Sequence, residues 1–593
     1  MSPVLELKGL GVSLRRGGRD VPVLDRISLA IAPGEMAALV GESGSGKSVT
    51  ALAVMRLLPE GALLAGQILL EGEDIAQASE SRLRALRGKR AAMVFQNPLA
   101  ALNPTRTVAA QIGEVWRMHE GGGRRAARAR ALDLLAEVGI PDPAARLDDY
   151  PHQFSGGMRQ RVMIAMALAC APRLLIADEP TAGLDPPRAR QIMELLARLR
   201  RERDMAVLFV THDLALVERE ADAIHVLYAG EMVEWGAARA FFAHPRHPYS
   251  EALLGAVPHL GQARLRSIPG SLPEPEARPP GCRFAPRCAR AEEICGRARP
   301  PADVAGNTVA ACFFPLPAAA RAGLAAAPAP PRVFPPLLEI KGLSVRYPAP
   351  GGWLGRRRLA PALEGISLTL GRGECLGVVG ESGSGKSTLG RAVLQMIGYE
   401  GEMSLEGESL ARMTPAARRA ARRRLQPVFQ DPRESLNPRM RVGEIIAEPL
   451  RLQGGLSRAA RAARVEALLA QVGLSAAIAA RYPGAVSGGQ AQRIAIARAL
   501  APGPALVVLD EPGSALDVST QAMLLNLLKD LGRRHGLTYL FISHDLAAVS
   551  TMADRIAVLR AGRMIELAET AALIAQPRHE YTRALIAAAA PGP

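Results

Sequence analysis

Long apolar runs are missing from this sequence of 593 residues. No stretch approaches the roughly 20 apolar residues of a membrane-spanning helix, so the chain is expected to line no path across a membrane itself. Met1 to Leu14 lacks the basic-then-apolar pattern of a secretory leader, and a cytosolic location is expected. Aromatic residues are scarce, at 4%, and the matching wealth of Ala, Arg, Gly and Pro reads as coding bias with little functional weight. Acidic side chains are outnumbered, 57 against 73 Lys and Arg, for a formal net charge of +16. A clustered excess would indicate a polyanionic partner. The basic residues are scattered, however. Their densest runs, Arg124 to Arg130 and Arg418 to Arg424, recur at similar places in the two halves and read as exposed helix faces. No nucleic-acid partner is expected.

What is present is an ordinary folded composition, 48% hydrophobic and 22% charged, which excludes wholesale disorder. The length exceeds what one hydrophobic core supports, so two large domains are expected. An internal repeat bears this out within the sequence. Asp178 and Asp510, His212 and His544, and Tyr249 and Tyr581 are each separated by 332 positions, and Gly41 and Gly380 by 339. The division this gives is a first domain over 1–262, a cysteine-bearing extension over 263–316, a Pro/Ala linker over 317–336 and a second domain over 337–593. The Pro- and Ala-rich stretch Ile268 to Pro336 holds four of the six cysteines and has no counterpart after Tyr581.

Short apolar runs precede turn or glycine signals in both halves: Met36 to Val40, Leu174 to Ala177 and Ala206 to Val210, then Cys375 to Val379, Leu506 to Leu509 and Thr538 to Ile542. Separated by helical patterns such as Arg188 to Arg201, they predict buried parallel strands of an α/β sheet. Phosphate chemistry belongs at the carboxyl ends of such strands.

Each half then carries the glycine-rich phosphate loop, Gly41-Glu-Ser-Gly-Ser-Gly46-Lys47-Ser48 and Gly380-Glu-Ser-Gly-Ser-Gly385-Lys386-Ser387, between an apolar run and a helical segment. Glycines let backbone N–H groups converge on phosphate oxygens at a helix N-terminus. The lysine reaches the terminal phosphates, and the serine hydroxyl ligates magnesium. The nucleotide-contacting set is Gly41, Ser43, Gly44, Gly46, Lys47, Ser48 and Val49, with Gly380, Ser382, Gly383, Gly385, Lys386, Ser387 and Thr388 in the second half. Asp178-Glu179 and Asp510-Glu511 end later apolar runs with adjacent carboxylates. The aspartate suits a magnesium contact and the glutamate the polarisation of attacking water.

Ser155-Gly156-Gly157 and Ser487-Gly488-Gly489 each precede a helix and stand about twenty residues before an Asp-Glu strand. In this company the chain resembles the ATP-binding-cassette superfamily. The resemblance implies an α/β fold of two tandem P-loop ATPase domains, each with a parallel-sheet core and a helical signature subdomain, arranged head to tail. It implies that Gln96 and Gln430, in Phe-Gln-Asn-Pro and Phe-Gln-Asp-Pro, sense magnesium and the transport partner. Magnesium would then meet Ser48, Gln96 and Asp178 in one half and Ser387, Gln430 and Asp510 in the other. His212 and His544 match the switch histidine at the γ-phosphate, and Ala182 to Asp185 and Ser514 to Asp517 the loop joining the two sites. The pocket of Lys47, Asp178, Glu179 and His212 would be completed by Ser487 and Gly489, and that of Lys386, Asp510, Glu511 and His544 by Ser155 and Gly157. The sequence departs from the pattern in places. Tyr347 is placed to stack on adenine, but Leu14 stands at the corresponding place in the first half. Gly513 replaces the usual threonine, and Gly484, Ala485, Val486 and Ala491 differ around the second signature. Unequal nucleotide affinities are in play.

The segments Phe95 to Pro104 and Phe429 to Pro438, Tyr150 to Arg161, and the tails His247-Pro-Tyr249 and His579-Glu-Tyr581 resemble the peptide- and nickel-importer branch. That resemblance implies ATP-driven peptide uptake at the cytoplasmic face of a bacterial inner membrane, with two permeases and an extracytoplasmic solute-binding protein. The alternative is a soluble twin-cassette translation or DNA-repair factor, expected to carry a long charged helical linker or large zinc-module insertions. Cys282, Cys288, Cys295 and Cys312 are unsuited to disulfides in a reducing compartment. Four-iron cluster, zinc and unmetallated thiols stay open, the cluster being what related importer tails imply.

Overall fold

The computed structural model describes residues 2–317, 334–348, 359–514 and 516–589, and most of the linker over 317–336 lies outside them. The described residues divide into two compact units. One takes 2–255 and 268–317; the other takes 256–267 together with the described residues from 334 onward.

In the first unit the runs Met36–Val40, Leu174–Asp178 and Ala206–Val210 are strands with every residue buried. Strands covered on both faces need continuous apolar sequence, which is what these runs supply. Met36–Val40 lies between Ala206–Val210 and Ala223–Tyr228, parallel to both, and the sheet continues through Leu174–Asp178 to Ala91–Val94. The second unit repeats the order around Cys375–Val379, with Thr538–Ile542, Leu506–Asp510 and Leu425–Val428 on one side and Arg555–Arg560 on the other. The helix expected from Arg188 to Arg201 spans Pro186–Arg203. Both Arg-rich runs lie on largely exposed helix surface, Arg128 pairing with Asp148 and Arg424 with Glu406.

Each unit also carries a four-stranded antiparallel sheet: Leu5–Arg16, Arg19–Ile31, Leu63–Leu70 and Glu73–Asp74 in the first, and Pro336–Pro348, Leu359–Gly371, Glu400–Leu405 and Glu408–Ser409 in the second. Leu5, Leu7, Ile27 and Leu29 from this sheet share a core with Leu39, Leu174 and Leu208 of the parallel one. The helix Lys47–Val54, begun by the phosphate loop, contributes Ala51 and Val54 to the same core.

The units differ at one sheet edge. In the first, the extension forms a hairpin, Ala302–Ala305 with Thr308–Ala311, which adds to the edge strand Glu231–Ala237 through Trp235↔Val309. The second sheet ends at Arg563–Glu569 among the described residues. The second unit, in turn, is built partly on residues 256–267. There Leu265 is buried, its N–H and carbonyl bonded to the Asn526 side chain, and Arg264 pairs with Asp530.

Candidate functional site

Both phosphate loops sit where a buried strand gives way to a helix. Gly41 has φ 149°, and a Cβ there would lie 2.2 Å from the Leu227 carbonyl oxygen; Gly46 has φ 111°, and a Cβ there would lie 2.4 Å from the Leu24 side chain. These two positions therefore require glycine. Lys47 Nζ donates to the carbonyls of Gly41 and Glu42 at 2.8 and 3.1 Å, curling over the loop it serves. Lys386 does the same with Gly380 and Glu381 at 2.7 and 2.8 Å. A contact not anticipated from sequence fixes each loop from behind. The Glu42 N–H donates to the Tyr249 hydroxyl and the Glu381 N–H to that of Tyr581, both at 2.9 Å. The constant spacing of the two tyrosines, and the tails His247-Pro-Tyr249 and His579-Glu-Tyr581 that hold them, are its traces in the sequence.

Ser48 Oγ donates to Asp178 Oδ1 at 3.2 Å and Ser387 Oγ to Asp510 Oδ1 at 3.0 Å. Burial raises the pKa of both aspartates, an effect the serines oppose. The hydroxyl and carboxylate oxygens suit a hard divalent cation, which would restore the charged carboxylate.

Glu179 and Glu511 follow directly, at φ 47° and 49°. Left-handed backbone is costly for a residue with a side chain and is retained at working sites. His212 Nδ1 lies 3.0 Å from Glu179 Oε1, and His544 Nδ1 the same distance from Glu511 Oε1. Burial opposes charge on every member, yet each pair prevails: both glutamates are held below, and both histidines above, their ordinary pKa. The halves part at the glutamine. Gln96 donates to Glu179 Oε2 at 2.6 Å, whereas in the second half Ser514 Oγ donates to the Glu511 main-chain carbonyl at 3.1 Å.

Ser155 and Ser487 cap the helices Gly156–Ala167 and Gly488–Leu500, accepting from the N–H of Met158 and Gln490. Gly157 and Gly489 lie in the first turns, where a Cβ on Gly489 would press on Thr520 at 2.6 Å. Tyr347 is exposed near the end of Pro336–Pro348.

The four extension cysteines are free thiols lining one cavity, together with His247 and Arg290. Burial raises the thiol pKa of Cys282 to about 11 and raises those of Cys288 and Cys312. His247 is buried, with Nε2 lacking a hydrogen bond. Among the described residues no group of three or more His, Cys, Asp or Glu side chains is placed to hold a metal ion.

Fold and loops together define a P-loop nucleotide-binding protein with two phosphate loops. The family model described as "ABC transporter" matches residues 24–182 and 363–514, and that described as "Oligopeptide/dipeptide transporter, C-terminal region" matches 233–295 and 565–591. Similar curated proteins match over nearly the whole of this chain. A glutathione import ATP-binding protein of Salmonella typhimurium is 42% identical, over 99% of this chain and 89% of its own. An oligopeptide transport ATP-binding protein of Mycobacterium tuberculosis is 43% identical, over 99% and 98%. A peptidoglycan transport ATP-binding protein of Agrobacterium fabrum is 42% identical, over 99% and 96%. The chain belongs to the ABC transporter ATPases with an oligopeptide/dipeptide transporter C-terminal region.

Proposed function

We propose that the chain is the ATP-hydrolysing subunit of an importer for peptides or peptide-bearing solutes. The observation that carries the ATPase chemistry is the placement, twice over, of a histidine-paired glutamate beside a Ser–Asp pair at the mouth of a phosphate loop. The loop amides and Lys47 or Lys386 hold the phosphates, while magnesium, where bound by the Ser, Asp and Gln oxygens, supplies charge neutralisation. Glu179 or Glu511 orients a water molecule and accepts its proton as the oxygen attacks the γ-phosphorus. The bond to the β–γ bridging oxygen breaks and ADP departs. Gln96 and Gln430 are read as contacts to magnesium, and His212 and His544 as contacts to the γ-phosphate. Tyr347 is assigned to adenine stacking. The signature residues Ser155, Gly156, Gly157, Ser487, Gly488 and Gly489 are assigned to nucleotide contact. Carrying Glu179→Gln and Glu511→Gln together lowers hydrolysis by about 10²-fold or more while ATP still binds. Near-normal turnover in this double variant overturns the assignment.

Import follows from kinship. The relatives are named for glutathione, oligopeptides and peptidoglycan, all of which contain amino acids in amide linkage. No helix among the described residues is long and apolar enough to cross a membrane. Two permeases and an extracytoplasmic solute-binding protein are therefore proposed as partners, with this chain at the cytoplasmic face of the inner membrane.

For the cysteines, the favoured reading is a four-iron cluster held by Cys282, Cys288, Cys295 and Cys312. Its support is that all four thiols face one cavity. A cluster spreads its ligands wider than a single ion does and would supply a structural staple here. Anaerobic purification is expected to give a brown protein with about four irons, diminished in Cys288→Ser; a colourless, iron-free protein refutes the cluster.

A further inference from the structure

The phosphate loops Gly41–Ser48 and Gly380–Ser387 have identical sequences, yet their glutamates live differently. Glu42 is buried, at 4% exposure, whereas Glu381 is exposed. The difference is made by the cysteine-bearing extension. Arg287, next to Cys288, sends both terminal nitrogens to the Glu42 carboxylate at 2.6 and 3.0 Å, and its own side chain is 5% exposed. Its Nε donates to the Pro269 carbonyl at 2.7 Å, and its guanidinium lies over the Tyr228 ring. Tyr228 in turn packs edge-on against Tyr249, whose hydroxyl accepts from the Glu42 N–H. The second half retains the tyrosine contact, with Arg560 over the Tyr581 ring, but its Glu381 carboxylate stays exposed.

A carboxylate beside a phosphate-binding loop repels the ligand, and a buried one does so with little screening from water. A bidentate guanidinium removes that penalty and fixes the loop's entrance in one geometry. We propose that Arg287 is a positioning residue for ATP at the first pocket, acting through Glu42, so that the extension sets the affinity of that pocket alone. Its pull is local, since it touches the loop and neither Glu179 nor His212. The proposal rests on reading Gly41–Ser48 as a nucleotide loop. It deepens that reading by assigning a part to the extension, since unequal ATP affinities follow where Glu42 is buried under Arg287 and Glu381 is exposed.

The test uses the full chain and a trinitrophenyl ATP analogue whose fluorescence reports binding. In a Lys386→Ala background, which leaves the first pocket to be read, Arg287→Gln weakens binding about tenfold, as an unpaired buried carboxylate requires. In a Lys47→Ala background the same change leaves the second pocket as it was, which also shows that the chain has folded. Glu42→Gln added to Arg287→Gln removes the stranded charge and restores first-pocket binding to within about threefold. A role limited to holding the fold gives no such rescue. Unchanged first-pocket binding, equal loss in both backgrounds, or failure of the double variant to recover overturns the proposal. Binding that survives Lys47→Ala with Lys386→Ala overturns instead the nucleotide-loop reading beneath it.

Discussion

Glu179 and Glu511 combine a left-handed backbone with a histidine partner at 3.0 Å, so their carboxylates are held by both main chain and neighbour. The linkage signs are definite. The histidine pKa is raised, so its contribution to stability is complete below its ordinary 6.5 and is lost as pH rises through the folded value. The glutamate pKa is lowered, so its contribution is complete above 4.5 and is lost as pH falls through the folded value. The pairs therefore stabilise most between these limits. NMR of histidine-labelled protein should show His212 titrating above 6.5. In Glu179→Gln the same resonance should drop below 6.5, because burial remains and the counter-charge is gone. An unmoved midpoint would mean that the pair does not form in solution.

Among the elements, those made of one unbroken apolar run were legible: Met36–Val40, Ala206–Val210, Cys375–Val379 and Thr538–Ile542 begin and end where the sequence places them. Strands buried on both faces leave no other pattern. The antiparallel sheets were not singled out, because irregularities after Leu7 and Leu10 break the alternation that marks a half-buried strand. Of the site, glycines and acidic pairs were legible because phosphate chemistry dictates spacing. The Arg287–Glu42 pair was not, since 245 residues separate partners brought together only by the fold. Another element is equally opaque: 256–267 follows the first domain's helix in sequence but is built into the second unit. Replacing Leu265, 3% exposed, by Asp should therefore lower the second unit's unfolding free energy by about 3 kcal/mol. Urea unfolding should show that unit's transition shifted with the first unit's unmoved; a shift confined to the first unit would contradict this.

Across the described residues the Ser–Asp and His–Glu contacts occur twice in near-identical form, and the two copies differ in what surrounds them. Gln96 meets the Glu179 carboxylate while Ser514 bonds the Glu511 main-chain carbonyl; an extension braces Glu42 while Glu381 is exposed. Such a chain gains something that two separate ATPase subunits lack, namely a fixed pairing of unlike halves in a one-to-one ratio. The position of residues 256–267 adds a constraint on descent. A gene fission placed in the Pro/Ala stretch would leave that segment on the upstream product and strip it from the downstream one. That downstream product would lack the Leu265 and Arg264 contacts to Asn526 and Asp530, so cutting the gene at the linker is expected to cost its second half stability.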